Sequence, residues 1–451
     1  MRRWLFISGA IVLVVLAVGI TLGASWLNNF VHSPAFRHEV ETRAGQAVGG
    51  PVQIQEINLN ILRGVQLRGL VAQIDHAGGQ GAVMANVESV NCSYSFFHLL
   101  QRRLELTGLT LEKPRIVLIR QAVSAANPPS GPVVTSEPAP AGSAPGSTPF
   151  QFMLSDAKID QGALSVRNAD GSSLADLNGV DLSANLDGYW EGRNITGKLK
   201  IGDAVVTPGV HVTNFSTPWI FDPRGNYVNA TPFQATAFSG SLAGDYSLDS
   251  SGPSVLDLNG NGLDVAQISK ALQPGAPTRL SGSLDLQSKW RGVETGQVAG
   301  EGDAQLANGK LEGVRILQDL GSILRIRELS SPDLRSVKSH FQVANGLTRF
   351  TGLQLDAGIF QMTGDGVVGA NGALDANLVL ILSSDAMSRL PREVVPFFVG
   401  QPNGAGSVAF HVSGTTSNPQ TDLPERILMQ GGTSRVKNVI SNALNKFFDS
   451  H

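Results

Sequence analysis

Few residues in this chain have the type and spacing to do chemistry. Residues 364–369 spell GDGVVG, a formal match to the G-x-G-x-x-G dinucleotide fingerprint. That fingerprint needs a strand before it, a helix starting inside it and an acidic residue about 20 positions on. Residues 370–382 read ANGALDANLVLIL, in which Leu374, Ala376, Leu378, Leu380 and Leu382 alternate. Alternation is the mark of a strand, so no helix N-terminus is expected there to hold a pyrophosphate. The reading is a hairpin between two strands, with the glycines serving turns.

Other chemistry is equally sparse. The sequence contains no G-x-S-x-G, no G-x-x-x-x-G-K-[ST] and no H-E-x-x-H. Asp170, Asp176 and Asp181 form a candidate calcium cluster, but turn and outward strand positions explain them as well. The lone Cys92 excludes a disulfide framework and a cysteine-based zinc site, and is expected to pack as a small buried residue. His32 and His38 read as surface residues. No catalytic constellation, metal site or cofactor is expected, and a net charge of −3 gives no electrostatic signal for nucleic acid.

The elements that would position any site are strands. The chain has 451 residues, 42% hydrophobic, with 51 glycines. From Phe150 to about Val412 short alternating runs end repeatedly in glycine-containing turns. NG or DG pairs at 170–171, 178–179, 308–309, 345–346, 365–366 and 371–372 predict tight hairpins. Further strands are expected between Val52 and Ile74, with one slip in the alternation that suggests a bulge, and over 103–120. Helices are expected at 34–48, where Ser33 and Pro34 suit the start and Gly49 and Gly50 the stop, and where Phe36, Val40, Ala44 and Val48 form a stripe. Others are expected near 93–103, 314–326 and 385–399. The last nineteen residues, 433–451, place Val436, Val439, Ile440, Ala443, Leu444, Phe447 and Phe448 on one side of a helix.

At the N-terminus no charged residue lies between Arg3 and Arg37, and the apolar run from Trp4 to Leu27 is long enough to span ~30 Å of hydrocarbon. Arg2 and Arg3 before it orient the N-terminus to the cytoplasm. The expected organisation is an anchor at 1–31, a helix and β unit at 32–121, a disordered linker at 122–149 with seven prolines and one charge, a repetitive β domain at 150–432, and the C-terminal helix. The fold class is mainly β with a few helices.

Several strands, LVLIL at 378–382 and RIVLI at 115–119 among them, are apolar beyond strict alternation. These residues suit an ordinary sandwich core. They equally suit a taco-shaped antiparallel sheet whose exposed apolar face holds acyl chains. Under that second reading the lining candidates are Ile116, Leu118, Phe341, Val343, Phe360, Leu378 and Leu380.

The order of features resembles the AsmA-like family of bacterial envelope proteins. An apolar anchor is followed by HSPAFRHEVETRAGQAVGGPVQIQEINLNILRGVQLRGL. Then comes YSFFHLLQRRLELTGLTLEKPRIVLIR, in which Leu104, Leu106, Leu109, Leu111, Pro114, Ile116, Leu118 and Arg120 fit the family's pattern. GKLEGVRILQDLGSIL and the stretch from Ser336 to Ser383 fit its C-terminal part. The resemblance implies an inner-membrane anchor, a periplasmic body and a bridge-like apolar groove for phospholipid. It implies no catalytic residues. Phospholipid, the bilayer through residues 4–27, and other envelope proteins are the expected partners. A scaffold that binds envelope proteins through its sheet edges is the alternative.

Overall fold

A computed structural model describes residues 34–60, 64–74, 81–94, 103–120, 151–186, 192–207, 209–250, 252–272, 279–293, 298–416 and 418–423. The expected anchor, most of the expected helix at 93–103, the linker at 122–149 and the C-terminal helix lie outside the described residues. No described helix is long and apolar enough to cross a membrane. The protein is mainly β with a few helices, and its chain divides into two compact units at Ala230/Thr231, inside strand β11 (Tyr227–Ala237).

The first unit opens with helix α1 (Pro34–Val48). Gly49, at φ +78°, ends it, and the Gly49 and Gly50 amides donate back to the Gly45 carbonyl at 2.9 and 3.1 Å. A left-handed glycine at this position satisfies helix-end carbonyls without a Cβ clash. The strands are β1 (Val52–Asn60), β2 (Gly64–Ile74), β3 (Gly81–Tyr94), β4 (Arg103–Glu112), β5 (Arg115–Arg120), β6 (Gln151–Leu154), β7 (Asp156–Asn168), β8 (Ser173–Asn185), β9 (Ile195–Thr207) and β10 (Val210–Asp222). Val40 and Ala44 of α1 pack on Val52, Ile54, Leu67, Leu70, Val87, Val90 and Leu109. The slip expected in β1 is present. Ile54 faces Leu70 and Ile57 faces Leu67, so both strands change parity together at Gln55 and Gly69, with Gly69 at φ +61°.

The sheet is not purely antiparallel, as the alternation had suggested. β4 pairs in parallel with β6 and β7, and β5 pairs in parallel with β7, Ile116 opposite Leu164 and Leu118 opposite Val166. Parallel neighbours need a long crossover, which a hairpin cannot provide. Residues 121–150, Pro-rich and too polar for a core, form that connection. Strands from both sides of the expected linker are therefore stitched into one sheet.

The second unit holds β12 (Gly240–Asp249), β13 (Val255–Asp264), helix α2 (Val265–Leu272), β14 (Arg279–Arg291), β15 (Ala299–Glu312), α3 (Arg315–Leu324), β16 (Asp333–Ala344), β17 (Leu347–Asp356), β18 (Phe360–Gly369), β19 (Leu374–Leu382), α4 (Ser384–Arg389), β20 (Val399–Gly400), β21 (Gly406–Gly414) and β22 (Pro419–Thr421). From β12 to β19 each strand pairs antiparallel with its sequence neighbour, and β19 then pairs with β21. Helical structure appears where it was expected, at 315–324 and, interrupted at Pro391, at 384–389 and in a single 3-10 turn at 395–397. α3 was marked by the hydrophobic spacing of Leu317, Leu320 and Leu324, all of which are buried.

The GDGVVG stretch corrects the sequence reading in one respect. Residues 364–369 form the C-terminal part of β18 itself, and the turn lies beyond them, at Gly372 with φ +78°. The NG or DG pairs at 170–171, 345–346 and 371–372 sit at turns, whereas those at 178–179, 308–309 and 365–366 lie inside strands. Gly179 is uncrowded but has φ +61°, whereas the glycines at 364 and 366 answer local crowding. A Cβ on Gly364 would stand 2.1 Å from the Asn377 carbonyl oxygen, and one on Gly366 would stand 2.4 Å from Phe350 Cζ.

Candidate functional site

Strand register assembles the site. In the second unit one face carries Leu242 and Tyr246 of β12, then Leu256, Leu258 and Leu263 of β13, then Leu284, Leu286 and Trp290 of β14. It continues through Ala304 and Leu306 of β15, Val337, Phe341 and Val343 of β16, and Phe350 and Leu355 of β17. Phe360 and Met362 of β18, Leu378, Leu380 and Leu382 of β19, and Val408 and Phe410 of β21 complete it. The reverse face carries Asp285, Gln287, Lys289, Glu301, Asp303, Gln305, Lys338, His340 and Gln342, with His340 Nδ1 3.0 Å from Asp303 Oδ1. Period-two alternation, kept in register over successive strands, produces this separation.

The apolar face has two environments. At the β18–β21 end, α3, α4 and the turns around them cover it. Phe360 is 1% exposed and Leu380 0%, in a core with Leu317, Leu320, Leu324, Ala386 and Phe398. Over β13–β17 the side chains of Leu256, Leu258, Leu286, Trp290, Phe341, Val343 and Phe350 remain half-buried. The lining candidates thus divide. Phe341 and Val343 lie on the partly open part, Leu378 is half-buried at the margin of the core, and Phe360 and Leu380 lie beneath helices. Ile116 and Leu118 belong to the first unit, where Leu118 is buried with Ile74 and Val83 and Ile116 is half-buried against them. The sequence reading missed Leu286 and Trp290, although the alternation in LSGSLDLQSKW marked them.

Aromatic rings lie over glycines on this face. A Cβ at Gly300 would fall 2.3 Å from Trp290 Cε3 and 2.6 Å from its Cδ2. Gly366 is covered in the same way by Phe350, and Gly244 by Phe233. In the first unit Trp219 covers Gly197, 2.5 Å from Cε2 to the same built position. Such pairs restore the packing that a strand glycine forfeits and keep the ring low on the sheet. Phe341 completes the patch against Trp290, with ring centroids 6.0 Å apart.

Two of the polar side chains on the half-open part are bonded within the sheet. Trp290 Nε1–H donates to Ser288 Oγ at 3.0 Å, and Ser339 Oγ–H donates to the His340 carbonyl at 3.1 Å.

The candidate calcium cluster resolves into separate structural roles. Asp170 accepts from Ser172, Asp176 from Ser165 and Ser173, and Asp181 from the Gln161 amide, whose residue has φ +53°. The serine hydroxyls hold the Asp170 and Asp176 carboxyls below the usual carboxylate range. Among the described residues no group of three or more His, Cys, Asp or Glu side chains could hold a metal ion.

Cys92 is buried between β2 and β4, and desolvation pushes its thiol up to about 12. The thiolate is the reactive form. At pH 8 the native thiol should therefore resist alkylation by at least ~100-fold relative to an ordinary cysteine of pKa ~8.5, and full reactivity should return in denaturant. Mass spectrometry after timed iodoacetamide exposure reads this directly. Rapid native labelling would mean that the core around Cys92 opens readily.

Comparison with protein-family models, curated proteins and solved structures finds no match to this chain.

Proposed function

We propose that the half-open apolar face over β13–β17 binds lipid acyl chains, and that the chain is an inner-membrane-anchored periplasmic protein contributing to phospholipid transport or outer-membrane biogenesis. The observation that carries this reading is a face on which Leu256, Leu258, Leu286, Trp290, Phe341 and Val343 stay half-buried while the Trp290 indole N–H and the Ser339 hydroxyl are bonded within the sheet. Burying a methylene against it is worth up to ~0.8 kcal/mol, less for a chain with one side open. A patch of this kind on a water-exposed sheet either aggregates or is covered. The sequence resemblance to AsmA-like proteins and the apolar segment at 4–27 support the membrane location and the groove-like role.

The scaffold reading needs a long free strand edge. β22, with three residues, is too short to template another strand, so that reading would rest on the nine-residue β1, which pairs with β2.

The test uses the full chain in nanodiscs containing a phospholipid with a photoreactive acyl chain. Labelling should map to β13–β17, and Phe341→Glu with Val343→Glu should reduce it at least tenfold while the far-ultraviolet dichroism is unchanged. Equal labelling of the polar face, or labelling unaffected by the double variant, would sink the proposal. Leu380 is unsuitable for this test, because a polar residue there reports on folding.

A further inference from the structure

Helix α1 uses its side chains in three ways, and one of them concerns the edge of the sheet. Val40 and Ala44 are buried in the core of the first unit. Glu39 and Arg43, one turn apart, pair with each other at 2.6 Å on the exposed side, as opposite charges at that spacing do. Arg37 and Glu41 have the same spacing in the opposite order and reach the strand instead. Arg37 Nη1–H donates to the Gln55 carbonyl at 2.9 Å, and Glu41 Oε1 accepts from the Ile54 amide at 2.8 Å. Both partners are backbone groups of β1, which pairs on one side only among the described strands, with β2. We infer that α1 guards the edge of β1, and that the partner it excludes is the β1 edge of a second copy of this chain. The guard is independent of what the apolar face binds.

The strand itself lacks the residues that usually blunt an edge. β1 reads VQIQEINLN, with no proline, no lysine and one charge, Glu56, which lies 3.8 Å from Arg68 of β2. Protection of this edge therefore falls to another element. The end of α1 is seated tightly enough to supply it. A Cβ on Gly45 would stand 2.9 Å from the Gly50 carbonyl oxygen, and one on Gly50 would stand 2.0 Å from the Gln73 carbonyl oxygen at the end of β2. With its C-terminal end held there, the helix is fastened to β1 one turn and two turns earlier by Glu41 and Arg37. A strand added to this edge would compete for the Ile54 amide and the Gln55 carbonyl, both of which the helix occupies. The nature of that strand follows from symmetry. An edge that every copy presents is complementary to itself in the antiparallel sense, so two copies can pair through it about a two-fold axis.

The experiment uses the full chain in detergent micelles, with Gln53→Cys at an exposed position of β1 and a short bis-maleimide as crosslinker. The native Cys92 is buried and stays out of the reaction. In this parent, Arg37→Ala with Glu41→Ala removes both bonds and leaves Val40 and Ala44 to seat the helix. Arg37→Lys with Glu41→Gln keeps a donor and an acceptor. The alanine pair should give about fivefold more covalent dimer than the parent, together with faster hydrogen exchange of the Ile54 amide. The conservative pair should behave like the parent. Unchanged Ile54 exchange in the alanine pair would show that these bonds do not hold the helix on the edge, and would overturn the guard. Faster exchange without more dimer would show an opened edge that no second copy takes up, and would overturn the partner. As much dimer from the conservative pair as from the alanine pair would mean that the two bonds are not what closes the edge, and would overturn the inference as a whole.

Discussion

Leu380→Ala should destabilise the second unit by about 2–5 kcal/mol, the usual cost of emptying a closed site. Leu380 is 0% exposed and is surrounded by Leu317, Leu320, Leu324, Phe360 and Phe410. Helices close over it, so neither solvent nor a shifted strand can refill the space. The loss should appear in urea unfolding as a lower midpoint with an unchanged slope. The same truncation at Phe341, on the half-open part of the face, should cost clearly less, because its site is not closed. Equal costs at the two positions would mean that the face is covered throughout and that a groove does not exist.

Gly364→Ala should be comparably damaging for a different reason. Gly364 has φ +155°, and an added Cβ would stand 2.1 Å from the Asn377 carbonyl oxygen and 3.0 Å from the Leu378 Cα. Both atoms are backbone of the paired strand β19, so no side-chain rotation relieves the contact. The strands must separate locally, at a cost of about 3 kcal/mol or more. Hydrogen exchange of the Thr363, Gly364 and Asn377 amides should accelerate. A loss below about 1 kcal/mol would show that β18 and β19 can part at this point without disturbing the core.

Much of this architecture was legible in the sequence because it depends on neighbours along the chain. Alternation gave the strands. Pro34 and the Gly49 stop bounded α1, and the Asn345-Gly346 turn, with both residues at positive φ, joins β16 to β17 as expected. The helix α2 went unread although a local signal was present. Asp264 caps it, accepting from the amides of Ala266 at 2.8 Å and Gln267 at 3.3 Å, and Gln267 Nε2 returns to Asp264 Oδ2 at 3.1 Å. What was not legible depends on distant partners. A glycine within a strand and a glycine in a turn look alike until the ring that covers the former is known, as Phe350 covers Gly366. The parallel pairing of β5 with β7 across residues 121–150 left no trace in periodicity. The division of the face at β17/β18 likewise arises from where α3 and α4 fold back. That is why Leu378, Leu380 and Phe360 read as equivalent to Phe341 and Val343 in sequence and are unequal in space.

The meander from β12 to β19 has a consequence for how such a protein can change in length. Because each strand pairs only with its chain neighbours, a hairpin can be removed or inserted whole without altering the direction or the apolar parity of the strands that remain. Each such step would alter the width of the sheet by about 10 Å. A single strand could not be exchanged in this way, since the next would then run backwards against its partner. Length is therefore a graded property of this architecture, set by the number of hairpins, while the chemistry of the face is set residue by residue.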